Sequence, residues 1–145
     1  MKWITRKNIK VDRVACPWLI RRFLDPEAEF LFVSEVDLLQ IAQAEGAIPF
    51  DAPKISEVRL NHRGNQCSFE AIIADYKLVA SGLPRLALIV RAADVKGQES
   101  VAAEGLGLRA IAEGFAAMNL SDKDRLARGF PIYDALYEYS CRLEG

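Results

Sequence analysis

The sequence predicts an α+β fold: a small mixed β-sheet from the N-terminal half, packed with helices, and a C-terminal half that is all helical. Three observations predict it. Two short runs rich in aromatic and β-branched side chains, Trp3–Arg6 and Glu29–Val33, bracket a segment whose apolar residues recur at helical spacing. From Ser68 onward the apolar residues keep a helical period between capping and proline signals. The 145 residues, 51% hydrophobic and 27% charged, suffice to bury a core in one compact soluble domain covering residues 1–145.

Each element has its own reason. Between the first two strands, Trp18, Leu19, Ile20, Phe23 and Leu24 share a helix face, and Asp25-Pro26 ends that helix. Ser34 to Asp37 (SEVD) reads as a capping pattern for a second helix that Gly46 stops. Residues 47–51 and 57–61 are short strand candidates. Ser68 is a candidate N-cap for a helix carrying Phe69, Ile72, Ile73 and Tyr76. Residues 83–96 follow as a helix with Pro84 in its first turn, and 99–119 as one interrupted by Gly105, Gly107 and Gly114. Ser121 to Asp124 opens a last helical segment, which Pro131 is expected to divide in two.

The net charge of −1 gives no sign of nucleic-acid binding, but its distribution is uneven. Residues 1–22 hold seven basic side chains against one acid, and residues 23–58 hold eight acids against Lys54. No apolar run reaches membrane-spanning length and no secretory leader follows Met1, so the expectation is a cytoplasmic protein without membrane partners. In that compartment Cys16, Cys67 and Cys141 are reduced thiols, and an odd count is a poor disulfide framework.

Two segments carry chemistry. His62, the only histidine, opens a stretch that continues to Cys67 and Glu70 around a Gly64-Asn65 turn. Imidazole, thiolate and carboxylate are donors for zinc or iron, although a turn-capping histidine and a core cysteine account for the same residues. The second segment runs from Val11 to Phe23 (VDRVACPWLIRRF) and admits two geometries. If the helix begins at Pro17, Cys16 caps it and the helix dipole lowers the thiol pKa. If one helix begins at Asp12, then Asp12 and Cys16 share a face at i,i+4. Arg13, Arg21 and Arg22 are either a solvated face or an oxyanion site.

At these residues the chain resembles the C-terminal domain of the chromate resistance protein ChrB, also called the chromate resistance exported protein family. The matching pieces are WITR from Trp3, DRVACPWLIRR from Asp12, DPEAEF from Asp25, PFD from Pro49, His62 with CSFE from Cys67, IVRAAD from Ile89 and YDALY from Tyr133. They appear in family order across nearly the whole chain. The resemblance implies chromate-responsive relatives that carry an extra N-terminal region. Because this chain begins at the domain itself, direct nucleic-acid binding is not expected.

The leading expectation is a stand-alone chromate-resistance-type domain that binds a metal ion, with thiols poised for redox work or for handling an oxyanion such as chromate. Asp12, His62, Cys67 and Glu70 are the candidate metal ligands, for iron, manganese or zinc. Cys16 and Cys67 are the candidate catalytic thiols, and Arg13, Arg21 and Arg22 the anion-binding residues. The two segments are expected to converge in space. A non-enzymatic chromate-sensing or interaction module, and a sulfur-transfer accessory protein, stand beside this reading; turnover separates enzyme from sensor. Tyr133, Tyr137 and Tyr139 are candidates for a homodimer face as well as for the core.

Overall fold

The computed structural model describes residues 1–144. Three strands form its sheet: β1 (Lys2–Arg6), β2 (Glu29–Val33) and β3 (Ile48–Pro49), in the order β2-β1-β3. Helix α1 (Asp12–Phe23) connects β1 to β2, and α2 (Leu38–Glu45), entered through a 3-10 turn at Glu35–Asp37, connects β2 to β3. Both connections carry a helix, so the strands run parallel throughout rather than as the mixed sheet expected. Four helices follow: α3 (Ser68–Asp75), α4 (Leu83–Asp94), α5 (Gly105–Ala117) and α6 (Asp122–Glu144). The architecture is α+β, with the sheet in the N-terminal half.

Side chains alternate across β1. Trp3 enters the larger core with Phe50 and Trp18, while Ile4 faces Leu38, Ala42, Ala47, Ala52 and Val58 on the α2 side. The sheet is therefore covered on both faces, as parallel sheets generally are. Gly46 ends α2 in the left-handed conformation (φ 64°), as its position in the sequence indicates.

Helix α1 is the spine of the larger core. It begins at Asp12 and runs through Pro17, so of the two geometries the single helix is the one adopted. Cys16 is consequently a fully buried helical residue and not a cap. Trp18 packs against Phe23, Phe69, Tyr133 and Tyr137, and its indole Nε1 donates to Asp134 Oδ1 at 2.8 Å. Tyr133 and Tyr137 are thus core residues, while Tyr139 is exposed.

The expectation that Pro131 splits the last segment is overturned: α6 is continuous from Asp122 to Glu144. Packing on both sides of the proline holds the helix in line. Gly129 meets α1 so closely that a Cβ there would stand 2.7 Å from Val14 Cγ1, and the Tyr133 hydroxyl donates to the Val11 carbonyl at 3.1 Å. Residues 57–61 are not a strand, and Leu60 makes only a single bridge to Phe50. Asn61 holds that stretch as a loop instead. Its Oδ1 accepts the Ala52 N–H at 2.6 Å, and its Nδ2 donates to the carbonyls of Ala52 and Val58 at 3.0 and 3.1 Å. The next residue is His62. Among the described residues no helix is long and apolar enough to cross a membrane.

A candidate metal centre around His62

Four segments meet at His62. Asp12 is the first residue of α1, Asp51 follows β3, His62 leaves the Asn61 loop and Asp94 is the last residue of α4. The imidazole Nε2 lies 3.0 Å from Asp94 Oδ2, 3.3 Å from Asp12 Oδ2 and 3.5 Å from Asp51 Oδ1. One ligand atom from each of Asp12, His62 and Asp94 falls within a mutual distance of 4.8 Å. The Asp12 side chain is 1% exposed, whereas His62 and Asp94 are 27% and 21% exposed, so solvent reaches the cluster from their side.

The buried carboxylates are held by the start of α3. Asp12 Oδ2 accepts the Ser68 N–H at 2.7 Å, and its Oδ1 accepts the Phe69 N–H at 3.1 Å and the Cys16 thiol at 3.4 Å. These two N–H groups have no partner inside α3, and the positive helix end favours the anion. Asp51 Oδ1 accepts the Ser68 hydroxyl at 2.7 Å, and Arg13 Nε stands 3.4 Å from Asp51 Oδ2. Ser68 is therefore the first residue of α3, and Cys67 takes the N-cap position expected for Ser68.

Electrostatics follow from this crowding. Burial, then the negative charges of Asp51 and Asp94, raise the Asp12 carboxyl above its ordinary range. Burial and the charge of Asp94 raise Asp51 as well. Hydrogen bonding to Asp12 and Asp94 pushes the His62 imidazole up to about 10. Burial holds both the Cys16 and Cys67 thiols above their usual range, so a lowered Cys16 pKa, expected had it capped a helix, does not arise.

The residues singled out from sequence are thus distributed unevenly. Asp12 and His62 meet, and Cys16 touches Asp12 from behind. Glu70 is turned away from His62: its carboxylate caps α3 by accepting the Cys67 N–H at 3.0 Å, and Arg91 Nε donates to it at 3.0 Å. Cys67 donates its thiol to the same carboxylate at 3.4 Å. The three arginines face different partners. Arg13 lies at Asp51 and donates to the carbonyls of Arg6 and Lys7. Arg21 donates to the Ala28 carbonyl and lies over Phe30 and Phe130. Arg22 pairs with Asp134 and Glu138 over Tyr137. Spacing along the chain does not mark Asp51 and Asp94, although each closes one of the blocks that carry the resemblance, PFD and IVRAAD. That was the available signal.

Fold and site together define a class: an α+β domain in which a lone imidazole is surrounded by carboxylates drawn from separate elements. The model of the family described as ChrB, C-terminal domain matches residues 3–140, and the chain belongs to that family. Protein ChrB of Cupriavidus metallidurans is 34% identical over 139 residues, covering 95% of this chain and 40% of the relative. The chain thus spans about two fifths of that relative's length. No solved structure matches the chain significantly.

Proposed function

We propose that this chain is a metal-binding domain of the ChrB type in which Asp12, His62 and Asp94 hold a divalent ion. One observation carries the reading. Three carboxylates converge within 3.5 Å of a single imidazole nitrogen, which has at most one proton to give. A proton satisfies one of them; a divalent cation satisfies several at once. Asp94 adds to the argument, because a carboxylate at the last position of a helix faces the negative end of its dipole. Such a placement costs stability unless a cation offsets it, a part that the protonated His62 plays without metal and that a bound ion would take over.

The donor set favours manganese or ferrous iron over zinc, since carboxylate and imidazole suit harder ions. Among the described residues the mutually close donors include no thiol, Cys16 reaching only the far oxygen of Asp12. A bound ion would supply Lewis acidity on the side where His62 and Asp94 are open to solvent. The chain's own residues do the rest: α3 fixes Asp12, Ser68 links Asp12 to Asp51, and Arg13 balances Asp51. A chromate-like oxyanion, the ligand implied by the family resemblance, would approach from the exposed His62–Asp94 side. Cys16 and Cys67, as buried neutral thiols, fit support of the carboxylates better than attack on a substrate.

Metal titration of chain purified without chelator tests this. Near-stoichiometric manganese, iron or zinc is expected in wild type, with loss in His62→Ala and retention in Arg22→Ala. Equal binding by wild type and His62→Ala, or none by either, contradicts the proposal. Steady consumption of reductant with chromate beyond one equivalent per chain would mark an enzyme, and binding without turnover a sensor.

A further inference from the structure

We infer that Asp51 is a positioning residue of this centre, kept in a strained backbone conformation for the charge it brings beside His62 and Asp12. The inference rests on reading the cluster as a cation site. Asp51 has φ +47°, in the left-handed region, which aspartate and asparagine enter more readily than other residues with a Cβ but still at a cost relative to glycine. The other non-glycine residues with positive φ, Asn8, Lys77 and Asn119, are all exposed, whereas Asp51 is 3% exposed. A buried carboxylate on such a backbone is doubly unfavourable, and glycine or asparagine would hold the bend at lower cost. Strain of this kind persists where surrounding contacts over-determine it.

Those contacts are present. The Asp51 N–H donates to the Leu60 carbonyl at 2.8 Å, and its own carbonyl accepts Thr5 Oγ1 and Arg6 Nε, each at 3.2 Å. Its Oδ1, 3.5 Å from His62 Nε2, accepts the Ser68 hydroxyl, and the Ser68 N–H holds the Asp12 oxygen that faces the same nitrogen. Asp51 therefore orders Asp12 through Ser68 and adds a negative charge behind the ligands. It lies outside the mutually close set of Asp12, His62 and Asp94. Asparagine preserves its shape and its acceptor for Ser68, so Asp51→Asn removes the charge, and with it the pairing to Arg13, while leaving the Ser68 link in place.

The test is manganese(II) titration, followed by electron paramagnetic resonance, of wild type, Asp51→Asn and Asp51→Gly, with metal-free melting measured alongside. The expected result is a dissociation constant weakened about tenfold or more in both variants, from the lost charge, and a metal-free melting temperature unchanged or raised in Asp51→Asn. A constant within about twofold of wild type overturns the role, whatever happens to melting. Failure of both variants to fold assigns Asp51 to folding and overturns it too. Wild type that takes up no metal overturns this inference together with the cation reading; wild type that binds, with unchanged variants, overturns only the role of Asp51.

Discussion

Metal affinity should fall steeply with acid, and the slope follows from His62. Its imidazole holds a proton up to about pH 10 because Asp12 and Asp94 hydrogen-bond to the charged form. A metal ion needs the neutral nitrogen, so each ion bound releases that proton. Below about pH 10 the apparent affinity then drops about tenfold per pH unit, or about a hundredfold between pH 8 and pH 6. Asp12, whose carboxyl titrates above its ordinary range because it is buried, steepens the fall at the acid end. In the metal-free protein the sign runs the other way. A raised imidazole pKa contributes stability that is complete below the unfolded value of about 6.5 and is lost as pH rises toward about 10. Cobalt or manganese titrations from pH 6 to pH 8 measure the first effect, and metal-free melting curves the second. A pH-independent affinity across this range would refute the assignment of Nε2 as a ligand.

Other consequences can be checked separately. Asp94→Asn should weaken metal binding and, in the metal-free protein near neutral pH, lower the His62 pKa and the stability that its pairing contributes. It removes one of the two carboxylates that hydrogen-bond to the charged imidazole; calorimetry with and without metal reads both effects. Trp18→Ala should cost about 3–5 kcal/mol in urea unfolding, since Trp18 is buried among Phe69, Tyr133 and Tyr137. Alkylation of native protein should modify Cys141 first and reach Cys16 and Cys67 only on unfolding; a native Cys16 as fast as Cys141 would contradict its burial.

Local chemistry was legible in the sequence wherever neighbours along the chain decide it. Strand propensity marked β1 and β2, a glycine stopped α2, and helical spacing marked the buried face of α1. What failed depended on tertiary partners. Pro131 looked like a helix break, but contacts of α6 with α1 on either side of it carry the helix through. Glu70 looked like a donor because it stands three residues after Cys67. The same spacing is that of a capping box, here with cysteine at the cap, and Arg91 takes the carboxylate. The site itself was half legible. His62 stood out as the only imidazole and Asp12 by its place in the α1 block. Asp51 and Asp94 come from a bend and a helix end, and no spacing along the chain announces that these places meet.

The most direct measurement is anomalous scattering from crystals grown with manganese. The account predicts a single peak within coordination distance of Asp12, His62 and Asp94, absent from His62→Ala crystals. A peak at Glu70 and Cys67, or no peak beside His62 at saturating metal, would contradict it.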